Sequence, residues 1–176
     1  MNTKVKSTVS MWVVVLLSFA SLVAAAGDLS VVEAVQKGDR EAVRSLLQRV
    51  DASETQPDGA TALAWAVHRN DLESAELLIQ AGADVNATND HGVTPLALAC
   101  ANIQNAAMVK KLLEAGGNPN SVQVKGETVL MTCSRTGNEE AIKLLLAHGV
   151  EVGVKEPWRW QTALLWAAAK KHADVA

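Results

Sequence analysis

The chain has 176 residues, 49% of them hydrophobic, with 16 basic and 19 acidic side chains and a net charge of −3. That is enough apolar material for a packed core, and a mildly acidic surface argues against phosphate backbones and anionic membranes as partners. Aromatics are scarce (five Trp, one Phe, no Tyr), while alanine and leucine dominate, as closely packed short helices require.

Residues 1–26 read as an export signal. Lys4 and Lys6 give a positive start, Met11 to Val23 is mainly apolar but short for a membrane span, and Ala24-Ala25-Ala26 offers a small-residue cleavage site. The other reading is an uncleaved anchor whose apolar run continues through Ala26. No paired arginines precede the run and no Cys follows it, which favours the general secretory route without lipid attachment. Cleavage leaves 14 basic against 19 acidic residues, net −5. The expected location of residues 27–176 is periplasmic or extracellular, with no stable insertion in a membrane.

From there a short phrase returns four times: Thr61-Ala62-Leu63, Thr94-Pro95-Leu96, Thr128-Val129-Leu130 and Thr162-Ala163-Leu164. The threonines are 33, 34 and 34 residues apart. Such a period marks stacked supersecondary units that cannot bury their apolar faces alone. In the second unit Asp58-Gly59 makes a tight turn, and Thr61 caps a helix through Val67. Asn70-Asp71 breaks the chain, Leu72 to Ile79 has helical apolar spacing, and Gly82 ends the helix. The third unit repeats this with His91-Gly92, Thr94-Pro95-Leu96 and Gly116, plus one extra residue between Ala101 and Ala107. The fourth shows Lys125-Gly126, Thr128, Gly137-Asn138 and Gly149.

Cys100 and Cys133 fall at inward-facing positions on the first helices of adjacent units. Packed helices lie roughly 8–10 Å apart, more than a disulfide tolerates between Cα atoms. The expectation is two free, buried cysteines, with a disulfide as the alternative.

The phrases Gly92-Val93-Thr94-Pro95-Leu96-Ala97-Leu98-Ala99, Ala81-Gly82-Ala83-Asp84-Val85-Asn86 and Leu144-Leu145-Leu146-Ala147-His148-Gly149 closely resemble the ankyrin repeat. The resemblance covers the chain from about Asp28 to Ala176. It implies an all-α solenoid of helix-turn-helix units joined by β-hairpin loops, with partners held between hairpin tips and first helices. The implied units are 28–56, 57–89, 90–123 and 124–157, with a truncated fifth at 158–176. Departures are plain. The family's histidine three residues after the threonine is replaced by Ala64, Ala97, Met131 and Leu165. The first unit lacks the Thr-x-Leu phrase, and its Arg40, Arg44 and Gln48 suit an end face meeting water. Lys171 to Ala176 match only the opening of a second helix. The expectation is a piece of a longer protein, with a frayed terminus as the alternative.

A search for chemistry finds no convergent set. His68, His91, His148 and His172 lie in different units without metal-ligand spacing, and the glycines are turns and caps rather than a phosphate loop. No catalytic residue, metal or cofactor is expected. The family's geometry instead nominates contact positions for a protein partner: Asp58, His68 and Arg69, then His91 and Asn102, then Lys125, Glu127 and Arg135, then Arg159 and Gln161. Pro157-Trp158-Arg159-Trp160 stands apart, because Trp158, Arg159 and Trp160 put two indoles and a guanidinium at a turn where the family prefers glycine. Trp and Arg are common interface anchors. The bland alternative is an indole folded back over the neighbouring hairpin. Trp65 and Trp166 recur four residues after their threonines and read as packing between units, with the groove wall as the alternative. A scaffold that binds another protein is the function expected, and an adaptor portion of a larger secreted protein is the alternative.

Overall fold

The structure is a computed structural model that describes residues 29–102 and 105–172. Contacts divide the chain into Met1–Ser30 and Val31–Ala176, and the stack lies in the second part. The export signal, residues 103 and 104 of the extra-residue connection, and the final residues from Ala173 on lie outside the described residues.

Among the described residues the order is α1 (Val31–Lys37), α2 (Arg40–Leu46), α3 (Ala62–His68), α4 (Leu72–Gln80), α5 (Pro95–Cys100), α6 (Ala106–Glu114), α7 (Val129–Thr136), α8 (Glu139–Ala147) and α9 (Ala163–Ala169). α1, α3, α5 and α7 each pair with the even-numbered helix that follows, while α1, α3, α5, α7 and α9 pack in one row and α2, α4, α6 and α8 in another. The repeating sequence therefore becomes a two-row stack of helix pairs.

The recurring threonines set where the first helices begin. Thr61, Thr94 and Thr128 take extended backbone, and their hydroxyls accept the amides of Ala64, Ala97 and Met131 at 3.1, 3.2 and 3.2 Å. Each satisfies an amide that has no partner inside the helix. Thr162 starts α9 without such a bond. Asp39, Asp71 and Asn138 perform the same task for α2, α4 and α8. Three leucines of the phrase, Leu63, Leu96 and Leu130, are buried, together with Leu78, Leu112 and Leu145 from the second row, whereas the fourth, Leu164, is exposed.

Loops add a second tie between units. The Asn86 carboxamide accepts the Asn118 amide at 2.7 Å, and Asn120 accepts the Glu151 amide at 2.8 Å one unit on. At the first end, Arg40 and Arg44 do not simply face water. Arg40 reaches Asp71 at 2.8 Å and Arg44 reaches Glu73 at 2.7 Å, both in the next unit. Burial pushes the Asp71 carboxyl up, but hydrogen bonds from Arg40 and Ser74 and the Arg40 charge hold it below the usual carboxylate range.

The cysteine expectation is corrected. Cys100 and Cys133 are both fully buried and joined as a disulfide between α5 and α7, with Cα atoms 4.6 Å apart. The spacing of 8–10 Å between helix axes is the wrong measure for residues that face each other. Subtracting two helix radii of about 2.3 Å leaves roughly 3–5 Å between facing Cα atoms. Ala97 and Ala99 keep α5 slim on its side of that approach, while α7 contains no alanine.

Two stability tests follow from this packing. The bridge closes a 33-residue separation, so replacing both cysteines with alanine should cost about 3–4 kcal/mol by the chain-entropy account, read as a lowered denaturant midpoint. Leu145→Ala, at a fully buried position, should cost roughly 2–5 kcal/mol; a midpoint unchanged by it would contradict the core described above.

Candidate functional site

Three successive hairpins share one construction. Gln56, Asn89 and Gln123 each donate an amide to the carbonyl four residues on (Ala60, Val93, Glu127) at 2.9, 3.3 and 2.9 Å. Each also accepts, on its own carbonyl, the amide of the tip glycine: Gly59, Gly92 and Gly126, all at positive φ. The tips are tied along the stack as well. The Asp90 amide donates to Asp58 O at 3.1 Å, and the Val124 amide to His91 O at 3.1 Å.

The last hairpin departs from this construction. Glu156 occupies the place of Gln56, Asn89 and Gln123, but its amide donates to Gln161, five residues on, at 3.0 Å. One residue has been added to the tip. The longer turn leaves several amides facing inward, and the Glu156 carboxylate collects them: Trp158 at 2.6 Å, Arg159 at 2.9 Å and Gln161 at 3.2 Å. Burial pushes the Glu156 carboxyl up, yet the amides of Trp158, Gln161 and Arg159, with the Arg159 charge, hold it below its ordinary value.

Two aromatic consequences follow. Trp160 stands where the other tips have glycine, at φ 56°, a left-handed conformation that costs a side chain roughly 1–2 kcal/mol. Its indole stays 71% exposed. Trp158 is 78% exposed, and its indole N–H donates to Lys125 O at 3.2 Å. It thereby replaces the backbone amide that ties the earlier tips together, so this indole does fold back over the neighbouring hairpin while presenting most of its surface. Between the hairpins, Pro157 packs so closely on Gly126 that a Cβ at Gly126 would strike the proline ring.

Trp65 and Trp166 occupy equivalent helix positions but differ in partners. The Trp65 indole N–H donates to Gln56 Oε1 at 2.9 Å, and its ring meets His68 edge-on at 5.7 Å. The residue equivalent to Gln56 beside Trp166 is Glu156, whose carboxylate is taken by the turn. The Trp166 indole N–H is consequently sealed from solvent with no acceptor. Both tryptophans are half-buried and line clefts, so the groove wall is their setting.

Clefts run along the hairpins and the ends of the first helices. One is bounded by Asp58, Trp65, His68 and Asn89, and the next by His68, Leu98, Asn102 and Thr136. A cavity of 240 Å³ lies among Lys125, Glu127, Glu156, Trp158, Arg159, Gln161 and Trp166. A neighbouring one of 320 Å³ adds Arg135, Ala169 and Lys170. Of the residues nominated from sequence, these clefts gather Asp58, His68, Asn102, Lys125, Glu127, Arg135, Trp158, Arg159 and Gln161. Arg69, His91 and Trp160 are exposed but outside those walls. Arg135 lies 3.5 Å from Glu127, which also accepts the Thr132 hydroxyl at 2.7 Å. Sequence reasoning missed Glu156. The available signal was spacing: Gln56, Asn89 and Gln123 precede their threonines by five residues, and Glu156 precedes Thr162 by six.

Comparison with known proteins decides the family. The model for ankyrin repeats (3 copies) matches residues 31–123 and again 98–176. The chain belongs to the ankyrin-repeat family. Its curated relatives include "Ankyrin repeat, SAM and basic leucine zipper domain-containing protein 1" of Carollia perspicillata, 32% identical over 114 residues, 62% of this chain and 24% of that protein. The same protein of Pongo abelii is 32% identical over 109 residues, 60% of this chain and 22% of the relative. "Glycerophosphocholine phosphodiesterase gde1" of Schizosaccharomyces pombe is 31% identical over 116 residues, 65% of this chain and 10% of the relative. The chain thus spans a quarter or less of the length of these relatives. Ankyrin repeats are generally non-catalytic scaffolds for protein partners. No helix among the described residues is long and apolar enough to cross a membrane.

Two outcomes test the last ankyrin hairpin. Trp160→Gly relieves the left-handed strain, partly offset by glycine's extra freedom in the unfolded chain, for a net gain of up to about 1 kcal/mol; thermal melting should shift upward by a few degrees. For Glu156, the folded-state pKa lies below the unfolded one. Its contribution is complete above about pH 4.5 and fades as pH falls through the lowered folded value. The melting difference between wild type and Glu156→Gln should therefore shrink on acidification below pH 4.5, and a difference independent of pH would contradict the carboxylate's role.

Proposed function

We propose that this ankyrin stack is an exported, non-catalytic scaffold that holds a protein partner in the groove between its hairpins and first helices. One observation carries the proposal: the clefts follow one another along that groove and end at a hairpin with exposed Trp158 and Trp160, where the Glu156 carboxylate holds the Trp158 amide and the Glu156 carbonyl holds the Trp160 amide. Fixing large aromatics in solvent has a cost in free energy, and interface anchors recover it on binding. The chemistry in the clefts, cations, amides and indoles, is that of recognition. Export draws its support from the leader pattern of residues 1–26 and from the Cys100–Cys133 disulfide, since such bonds persist in oxidising compartments. The phosphodiesterase activity in one relative's name belongs to a protein of which this chain matches a tenth.

A second reading makes the stack an adaptor within a larger secreted polypeptide. It draws on an apolar cleft of 430 Å³ lined by Leu130, Ile142, Leu146, Val152 and Leu164, a face suited to packing another helical unit.

A crosslinking scan tests the groove. A photoreactive residue at position 68, 102 or 159 should trap the same partner from the exported fraction, and one at Lys110, an exposed α6 position in the other row, should not. Trapping from position 110 alone would place the partner elsewhere. Replacing Trp158, Arg159 and Trp160 together by alanine should cut capture at least about tenfold while leaving helical circular dichroism unchanged.

A further inference from the structure

We propose that the two adjoining cavities at the last hairpin form a subsite for an acidic peptide segment of the partner, with carboxylates directed at Lys125 and Arg159 and the chain laid across the Trp158 and Trp166 rings. The inference rests on the groove reading and names the chemistry of what enters it.

Charge accounting supplies the first support. Lys125, Arg159 and Lys170 line the cavities and none is within ion-pair distance of a carboxylate among the described residues. The acidic groups beside them are already engaged. Glu127 accepts the Thr132 hydroxyl and faces Arg135, and the Glu156 carboxylate is occupied by three backbone amides. The two walls together carry Lys125, Arg135, Arg159 and Lys170 against Glu127 and Glu156, so a chain of net charge −3 has a locally cationic cleft. Charge complementarity of this kind sets register and speeds association.

Donors and shape supply the second. The sealed Trp166 indole N–H has no acceptor, in a wall shared by both cavities, whereas the equivalent Trp65 N–H is satisfied by Gln56. Volumes of 240 and 320 Å³ suit successive side chains of an extended segment. A nucleic acid fits less well. Its phosphates need a continuous basic track, and the earlier hairpin tips present Asp58 and Asp90.

The test uses the full chain and a fluorescein-labelled decaglutamate peptide, with decalysine and a single-stranded DNA decamer as comparators. Decaglutamate should bind in a salt-sensitive way and shift the indole N–H signals of Trp158 and Trp166 in NMR spectra, leaving Trp65 in place. Lys125→Ala combined with Arg159→Ala should weaken it at least about tenfold, and Lys110→Ala should not. Equal or tighter binding of DNA would overturn the acidic-peptide assignment in favour of phosphate recognition. Equal binding of decalysine, or shifts confined to Trp65, would also overturn it. Absence of decaglutamate binding would sink this inference alone, because the crosslinking scan reads groove occupancy whatever the charge of the partner.

Discussion

Among the described residues no helix pair has a core of its own. Each buries its apolar face against the pair before and the pair after it, and every other feature depends on that neighbour-to-neighbour burial. It demands that helices of the first row approach closely, which the alanines of α3, α5 and α9 permit. It also demands that the units begin in register, which the threonine caps enforce for the three central ones. The disulfide is a product of the same closeness, since only facing residues on tightly packed helices bring Cα atoms within 4.6 Å.

Polar groups keep the stack in register where apolar contact is thin. Asparagine side chains tie loop to loop, hairpin amides tie tip to tip, and arginines tie the first unit to the second. The asparagine and hairpin bonds are modest in water, on the order of 1 kcal/mol, but they recur from unit to unit. Exposed ion pairs such as Lys143–Glu139 and Lys110–Glu114 contribute little by comparison.

The last hairpin shows how a regular scaffold acquires a distinctive surface. One added residue breaks the turn pattern, a carboxylate replaces an amide side chain to satisfy the freed backbone, and the glycine position passes to Trp160. The backbone tie between tips is lost, and the Trp158 indole supplies a substitute. Trp166 is left without the partner that Trp65 enjoys. These are local departures in an otherwise consistent design, the kind expected where function outweighs regularity.

Much of this was legible in the residues themselves. The thirty-odd-residue period fixed the architecture, because helix length, cap and turn chemistry recur at the scale of one supersecondary unit and act locally. The exposed tip of Trp158, Arg159 and Trp160 was legible for the same reason, since a turn displays its side chains. Tertiary structure alone decided the rest. Whether Cys100 and Cys133 bond depends on the distance between facing surfaces of two helices, a quantity that axis spacing obscures. The direction of the Glu156 carboxylate, and with it the orphaned Trp166 N–H, depends on which amides the folded turn leaves unpaired. Sequence specifies contacts within a few residues; contacts between units are set by how closely the units approach.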